Sequence, residues 1–301
     1  MEQLRYRAPA RSFLGDEVLA IGPSEKARAV VIPIPLEATV TFGAGTALGP
    51  EAIIAASNSL EVYDDELGTV PVRSFGLATL ETEEAAQPLE AVLDQIENLV
   101  EGVLEAGKFP LILGGEHSLT IGAVRPFIRR YPELAVLHFD AHTDLRDSYR
   151  GLRVSHATVM RRVLEQGRGQ LVSVGLRSIS EGEMEFLNAN RDRISPYWAR
   201  QRGSWVTAEI VRPLENKPIY LSFDVDALDS GLMPATGTPE PGGIDFDQAC
   251  AIIRAASEVG TIVGADLVEL APIPGIVACD VTAANLAYKI VCYALHSGAE
   301  G

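Results

Sequence analysis

Along this chain, short and nearly continuous apolar runs alternate with longer stretches in which apolar residues recur every three or four positions. The short runs fall at residues 30–34, 74–77, 111–113, 135–139, 171–174, 219–223 and 262–267. A run with no polar alternate suits a strand covered on both faces, as in a parallel sheet. The longer stretches read as helices. Residues 50–57 open with Pro50, a good first helical residue. Residues 89–105 place Val92, Ile96, Leu99 and Val103 on one face and stop before Gly107. Residues 245–259 and 282–295 keep the helical period, and 119–130 reads as a packing helix. Strand–helix alternation of this kind predicts a three-layer α/β/α fold with a mainly parallel central sheet. No low-complexity linker and no internal repeat divides it, so residues 1–301 are expected to form one domain.

Composition narrows the class. Hydrophobic residues make up 47% and charged residues 22%, ample for a sizeable core. No apolar run approaches the roughly 18 residues of a membrane helix, and the polar first residues carry no apolar leader. Cys250, Cys279 and Cys292 are odd in number and lack metal-site spacing, which points to buried thiols in a reducing cytoplasm. The charge balance, 25 basic against 41 acidic residues for a net of −16, denies nucleic acid its cationic footprint. It favours small cations and metal ions instead.

The apolar runs stop at chemistry. The run at 111–113 leads into Gly114-Gly-Glu-His117, that at 135–139 into Asp140-Ala-His142-Thr-Asp144, and that at 219–223 into Asp224-Val-Asp226. The run at 262–267 ends near Glu269. Ligands of parallel sheets bind outside the carboxyl ends of the strands, so these positions are expected to converge. Residues two apart on an extended strand share a side, which groups Asp140 with His142 and Asp144, and Asp224 with Asp226. With His117 the pocket holds four aspartates and two histidines. Buried carboxylates in such number repel unless cations neutralise them. Two divalent ions would do so, and oxygen-rich ligation with some imidazole suits Mn²⁺ best. Two ions about 3.5–4 Å apart would also share a water and lower its pKa. Of five histidines, His117, His138, His142 and His156 lie within one stretch of forty residues. His138, inside an apolar run, reads as a hydrogen-bonded core residue rather than a ligand. The loop at 237–243 lacks a P-loop lysine and reads as a shaped turn.

Together these motifs resemble the ureohydrolase family of arginases and agmatinases. Gly114-Gly-Glu-His117, Asp140-Ala-His142-Thr-Asp144 and Ser222-Phe-Asp224-Val-Asp226 are similar to its three metal signatures, in family order. The resemblance implies a dimanganese centre. His117 and Asp144 would be terminal ligands of one ion, His142 and Asp226 of the other, with Asp140 and Asp224 bridging. Catalysis would then run through Asp140, Glu269 and His156, with Glu269 pairing with a small cationic guanidino substrate and His156 moving a proton to the leaving amine. The resemblance also implies assembly as a homotrimer or homohexamer. Asp144 is followed by Leu145-Arg146-Asp147, and Gly175-Leu-Arg177 by Ser178-Ile-Ser180, where arginases carry residues for the α-amino acid end. Residues 234–243 and Ser155-His156-Ala-Thr look agmatinase-like. The expected reaction is agmatine to putrescine and urea, with aminopropylagmatine, guanidinobutyrate or arginine as alternatives. A metal-dependent phosphoesterase would want cations aimed at phosphate, and the motif loops offer mainly Arg146. A scaffold that merely binds metal would need neither Glu269 nor His156.

Overall fold

The computed structural model describes residues 4–20, 22–82 and 88–296. Eight strands form one sheet: β1 (Ala29–Ile34), β2 (Leu77–Thr79), β3 (Phe109–Gly114), β4 (Ala135–Phe139), β5 (Leu171–Leu176), β6 (Ile194–Trp198), β7 (Pro218–Asp224) and β8 (Thr261–Val268). They run in the order β2-β1-β3-β8-β7-β4-β5-β6, with every neighbouring pair parallel. Alternate strand residues feed two separate apolar layers. Val31, Leu111, Leu113, Leu137 and Phe223 pack on one face, with Ile53 of helix Gly49–Ser57 and the helices Phe246–Val259 and Val277–His296. Val30, Ile32, Ile112 and Val136 pack on the other, under Val92, Ile96, Val100 and Val103 of helix Leu89–Glu105. Burial on both sides is why these strands carry almost no polar residues, and it produces the expected three layers.

Three local expectations need correction. Residues 74–77 do not form a strand: helix Val72–Phe75 ends at Gly76, whose φ of 66° turns the chain into β2. The packing helix at 119–130 is broken into Thr120–Ala123 and Arg125–Arg130, with Pro126 at the start of the second piece. Strand β6 was not expected at all. Its sequence, Ile-Ser-Pro-Tyr-Trp, is half-exposed and contains Pro196, a residue tolerated only at sheet edges and bulges. Here it lies on the edge, paired with β5 alone. Among the described residues no helix is long and apolar enough to cross a membrane.

Candidate metal centre and active site

The carboxyl ends of β3, β8, β7 and β4, four adjacent central strands, supply the site. The turn after β3 passes so close to Leu36 that a Cβ on Gly115 would lie 2.0 Å from the Leu36 carbonyl oxygen, so only glycine fits. That turn delivers a buried His117, whose Nδ1 lies 3.2 Å from Asp144 Oδ2, 3.3 Å from Asp140 Oδ2 and 3.6 Å from Asp224 Oδ2. A second group forms beside it, where His142 Nδ1 is 2.9 Å from Asp226 Oδ2 and 3.4 Å from Asp140 Oδ1. Asp140 therefore belongs to both groups, one oxygen facing each.

The aspartates reach the site by a different route from the extended backbone their spacing suggested. Strand β4 ends at Phe139, and Asp144 turns back through a left-handed φ of 52°. Asp226 sits in the short turn Val225–Ala227, where the Asp224 carboxylate accepts the Asp226 N–H at 2.8 Å. That turn splits the pair, sending Asp224 toward His117 and Asp226 toward His142. Glu269 follows β8 at a φ of 67°, and its Oε1 accepts the His117 N–H at 2.7 Å. Non-glycine residues in this region are uncommon, and here two acids of one pocket adopt it.

These side chains fit divalent cations. His117 Nδ1 is buried without a hydrogen-bond partner while three carboxylates face it. Burial, then the neighbouring Asp226 and Asp140, hold the Asp224 carboxyl well above its usual range, and burial with Asp140 raises Asp144 and Asp226. Burial pushes Glu269 up to about 8. Burial alone would lower the pKa of His142, but Asp226 and Asp140 draw it up to about 12. Asp140 is the exception: burial opposes its ionisation, yet hydrogen bonds from His117, His138 and His142 hold its carboxyl well below the usual range. The acids thus hold more protons than free carboxyls would, and dications would release those protons.

A pH dependence follows. A carboxyl whose folded pKa is raised contributes stability that is complete below its unfolded value and is lost as pH rises to the folded one. For Glu269 that window runs from about 4.5 to about 8, and the loss on His142 begins above 6.5, in the same direction. Asp140 works oppositely, losing stability only in acid, below 3.8. The metal-free chain is expected to lose thermal stability between about pH 5 and pH 8, and loading with Mn²⁺ should flatten that slope. Thermal denaturation with and without metal across this range checks it, and identical slopes would count against a cation site.

His138 lies within 4.8 Å of the first group but is engaged differently. Its Nε2 donates to Asp140 Oδ2 at 2.9 Å, and its Nδ1 meets the Ser173 hydroxyl at 3.1 Å. This is the hydrogen-bonded core histidine expected, with both nitrogens occupied. His156 belongs to neither metal group. Ser155, capping the turn His156–Thr158, sets it on the wall of the same pocket.

Glu116 stands inside the Gly114-Gly-Glu-His117 motif, but its part in holding His156 through Thr39 was not visible there. Glu116 is fully buried, and its carboxylate accepts the Ala38 and Thr39 N–H groups and the Thr39 and Ser118 hydroxyls. Because the Thr39 hydroxyl hydrogen is spent on Glu116, its oxygen is left to accept from the His156 N–H and from Nδ1, at 3.1 and 3.0 Å. That places the ring proton on Nδ1 and leaves Nε2 beside the Thr41 hydroxyl at 3.1 Å. The pocket wall is completed by Phe42, Arg146, Tyr149 and Gly237. Gly237 lies against Gly43, where a Cβ on Gly43 would come within 2.9 Å of it, so the expected shaped loop is a close backbone crossing. Arg146 is half-exposed, with its Nε 3.6 Å from Glu183 Oε2 and its guanidinium over the Tyr149 ring.

Comparison with known proteins agrees with this geometry. Residues 27–295 match the Arginase family. The chain is 36% identical over 298 residues to an N(1)-aminopropylagmatine ureohydrolase of Synechocystis sp., covering 96% of this chain and 95% of that one. It is 36% identical over 272 residues to an agmatinase of Bacillus subtilis, covering 87% and 90%. The agmatine ureohydrolase structure from Thermoplasma volcanium superposes with a TM-score of 0.84 at 30% identity, covering 96% of each chain. The chain belongs to the arginase family and is an agmatinase-like ureohydrolase.

Proposed function

We propose that this chain is a dimanganese enzyme that hydrolyses the guanidinium group of agmatine to putrescine and urea. The observation that carries the reading is the shared carboxylate: His117, Asp144 and Asp224 gather on one side of Asp140, and His142 and Asp226 on the other. The resemblance to the family's metal signatures assigns Asp224 as the second bridge. Six ligands, four of them carboxylates, suit Mn²⁺ among the divalent metals. When bound, the two ions supply an activated water and positive charge for the tetrahedral intermediate.

The chain's own groups supply the rest. A guanidinium stays cationic at working pH, so a buried site must offer it a carboxylate. With the aspartates committed to metal and Glu183 spent on Thr143, Leu145 and Ser180, Glu269 on the same pocket wall is the best available partner. Two parallel N–H···O bonds would hold the guanidinium plane and fix the carbon before attack. His156, with its proton on Nδ1 and Nε2 turned to Thr41, is poised to relay a proton to the leaving amine. His156→Ala is therefore expected to keep both ions while lowering kcat by about 10²–10⁴-fold. Elemental analysis beside steady-state kinetics checks it, and loss of an ion would make His156 a ligand instead.

The tail decides the substrate. Arg146, the cation on the pocket wall, is engaged by Glu183 and Tyr149, which leaves it poorly placed to welcome an α-carboxylate. That favours amine tails over arginine and guanidinobutyrate. A second reading, hydrolysis of aminopropylagmatine, is favoured by the full-length similarity to the Synechocystis ureohydrolase of that name. Urea release from agmatine, aminopropylagmatine, guanidinobutyrate and arginine, before and after chelation and Mn²⁺ reloading, separates these. Agmatine is expected to give the highest kcat/KM, and chelation to abolish turnover until Mn²⁺ returns. Comparable kcat/KM for arginine would overturn the amine-tail reading, and reactivation by Zn²⁺ but not Mn²⁺ would overturn the metal. The buried free thiols of Cys250, Cys279 and Cys292 support a cytoplasmic setting.

A further inference from the structure

Beneath the metal centre the sheet carries a polar row. Ser173 on β5 pairs in register with His138 on β4, His138 with Ser222 on β7, and Ser222 with Asp266 on β8. All four are buried between the two apolar layers. At the end of the row, fully buried Asp266 is held by three hydroxyls. It accepts from Ser222 Oγ at 2.8 Å on Oδ1, and from Thr120 Oγ1 at 2.8 Å and Tyr220 OH at 2.7 Å on Oδ2. Among the described residues no charged partner meets it, and no step of the proposed reaction uses it. A buried carboxylate inside a central strand is costly, so its placement calls for a function.

The direction of each hydrogen bond supplies one. A carboxylate only accepts, so the single hydrogen of Ser222 points at Asp266. The Ser222 oxygen can then only accept from its other neighbour, His117 Nε2, at 2.9 Å. His117 must carry its fixed proton on Nε2, and Nδ1, the atom facing Asp140, Asp144 and Asp224, is the one that can be bare. Which nitrogen of a ligand histidine binds metal is set by the bond its other nitrogen makes.

We propose that Asp266 is a positioning residue of the metal centre, acting through Ser222 to hold the Nε2–H form of His117 and so present Nδ1 to the ion. The proposal rests on the metal-centre reading above, and the unaltered chain tests that reading separately: it must bind two Mn²⁺. Asp266→Asn keeps the shape but can place an amide N–H on Ser222. That would turn the serine hydrogen toward His117 and favour the wrong ring form. Ser222→Ala simply removes the link, and Ser222→Thr keeps the hydroxyl.

Titration calorimetry with Mn²⁺ on the full chain is the measurement, with electron paramagnetic resonance distinguishing a coupled pair from a single ion. Ser222→Ala should weaken one of the two ions by about 10–100-fold, the size of effect that outer partners of ligand histidines have, and leave the other. Asp266→Asn should weaken that same ion at least as much. The double variant should be no worse than Asp266→Asn alone, because the aspartate acts through the serine. Ser222→Thr should restore binding. Additive losses, equal weakening of both ions, or unchanged binding in Ser222→Ala would each overturn the proposal. Should Asp266→Asn fail to fold, the contrast between Ser222→Ala and Ser222→Thr still decides it.

Discussion

Asp140→Asn is expected to empty the centre of metal and reduce urea release to background. Asp140 is the residue whose two oxygens face the two ligand groups, Oδ2 toward His117 and Oδ1 toward His142. It is also the acid held most firmly as an anion, by hydrogen bonds from three histidines against the effect of burial. Asparagine keeps the shape but puts an N–H₂ where one ion needs a lone pair and removes the charge that both share. The ions supply several kcal/mol of transition-state stabilisation, so their loss corresponds to about 10³-fold or more in rate. Elemental analysis and urea assays on one preparation give the answer. Two retained ions with near-normal turnover would show that Asp140 is not the shared ligand.

Glu269→Gln should produce the opposite pattern, full metal occupancy with a large loss of kcat/KM. The Glu269 carboxylate already accepts the His117 N–H, and glutamine's amide oxygen can keep that bond, so the ligand's backbone should hold its place. What disappears is the negative charge offered to the guanidinium. Removing one member of a buried, hydrogen-bonded charge pair costs about 2–5 kcal/mol, which is roughly 30- to several-thousand-fold in kcat/KM. Burial raises the Glu269 pKa, and a bound cation favours the ionised form. The loss should therefore be steepest with cationic substrates at alkaline pH, where the unaltered carboxylate is fully ionised. If agmatine kcat/KM moved by less than threefold, another group would have to hold the guanidinium.

Much of this site is legible in the chain because parallel strands buried on both faces stand out as apolar runs, and their ends mark one edge of the sheet. His117, Asp140, His142, Asp144, Asp224, Asp226 and Glu269 all follow such runs and do meet. The spacing argument groups acids that do come together, but by a different geometry from the one it assumed. Asp144 and Asp226 arrive through a left-handed residue and a short turn, neither of which a two-residue period encodes. Illegible were the contacts packed behind the site residues. Asp266 and Ser222 become neighbours only through the strand order β8-β7; Ser222 stands in a quoted motif, but Asp266 looks like an isolated polar residue in an apolar run. Thr39 sits in a loop whose position depends on Glu116, 77 residues away. Such pairings follow from topology, and local pattern carries no trace of strand order.

The left-handed backbone at Asp144 and Glu269 bears on how this enzyme could evolve or be improved. Each such residue costs on the order of 1–3 kcal/mol, against a typical domain stability of about 5–15 kcal/mol. Glycine relieves that cost, so random search for heat-tolerant variants should be drawn to these positions as to the left-handed Leu14 and Arg150. Under the proposed function, every such gain at Asp144 or Glu269 would be taken from the metal ligands or the guanidinium partner. Selection for thermal tolerance without selection for turnover should thus yield robust, inactive proteins, and a useful library would hold both positions fixed while varying the outer helices.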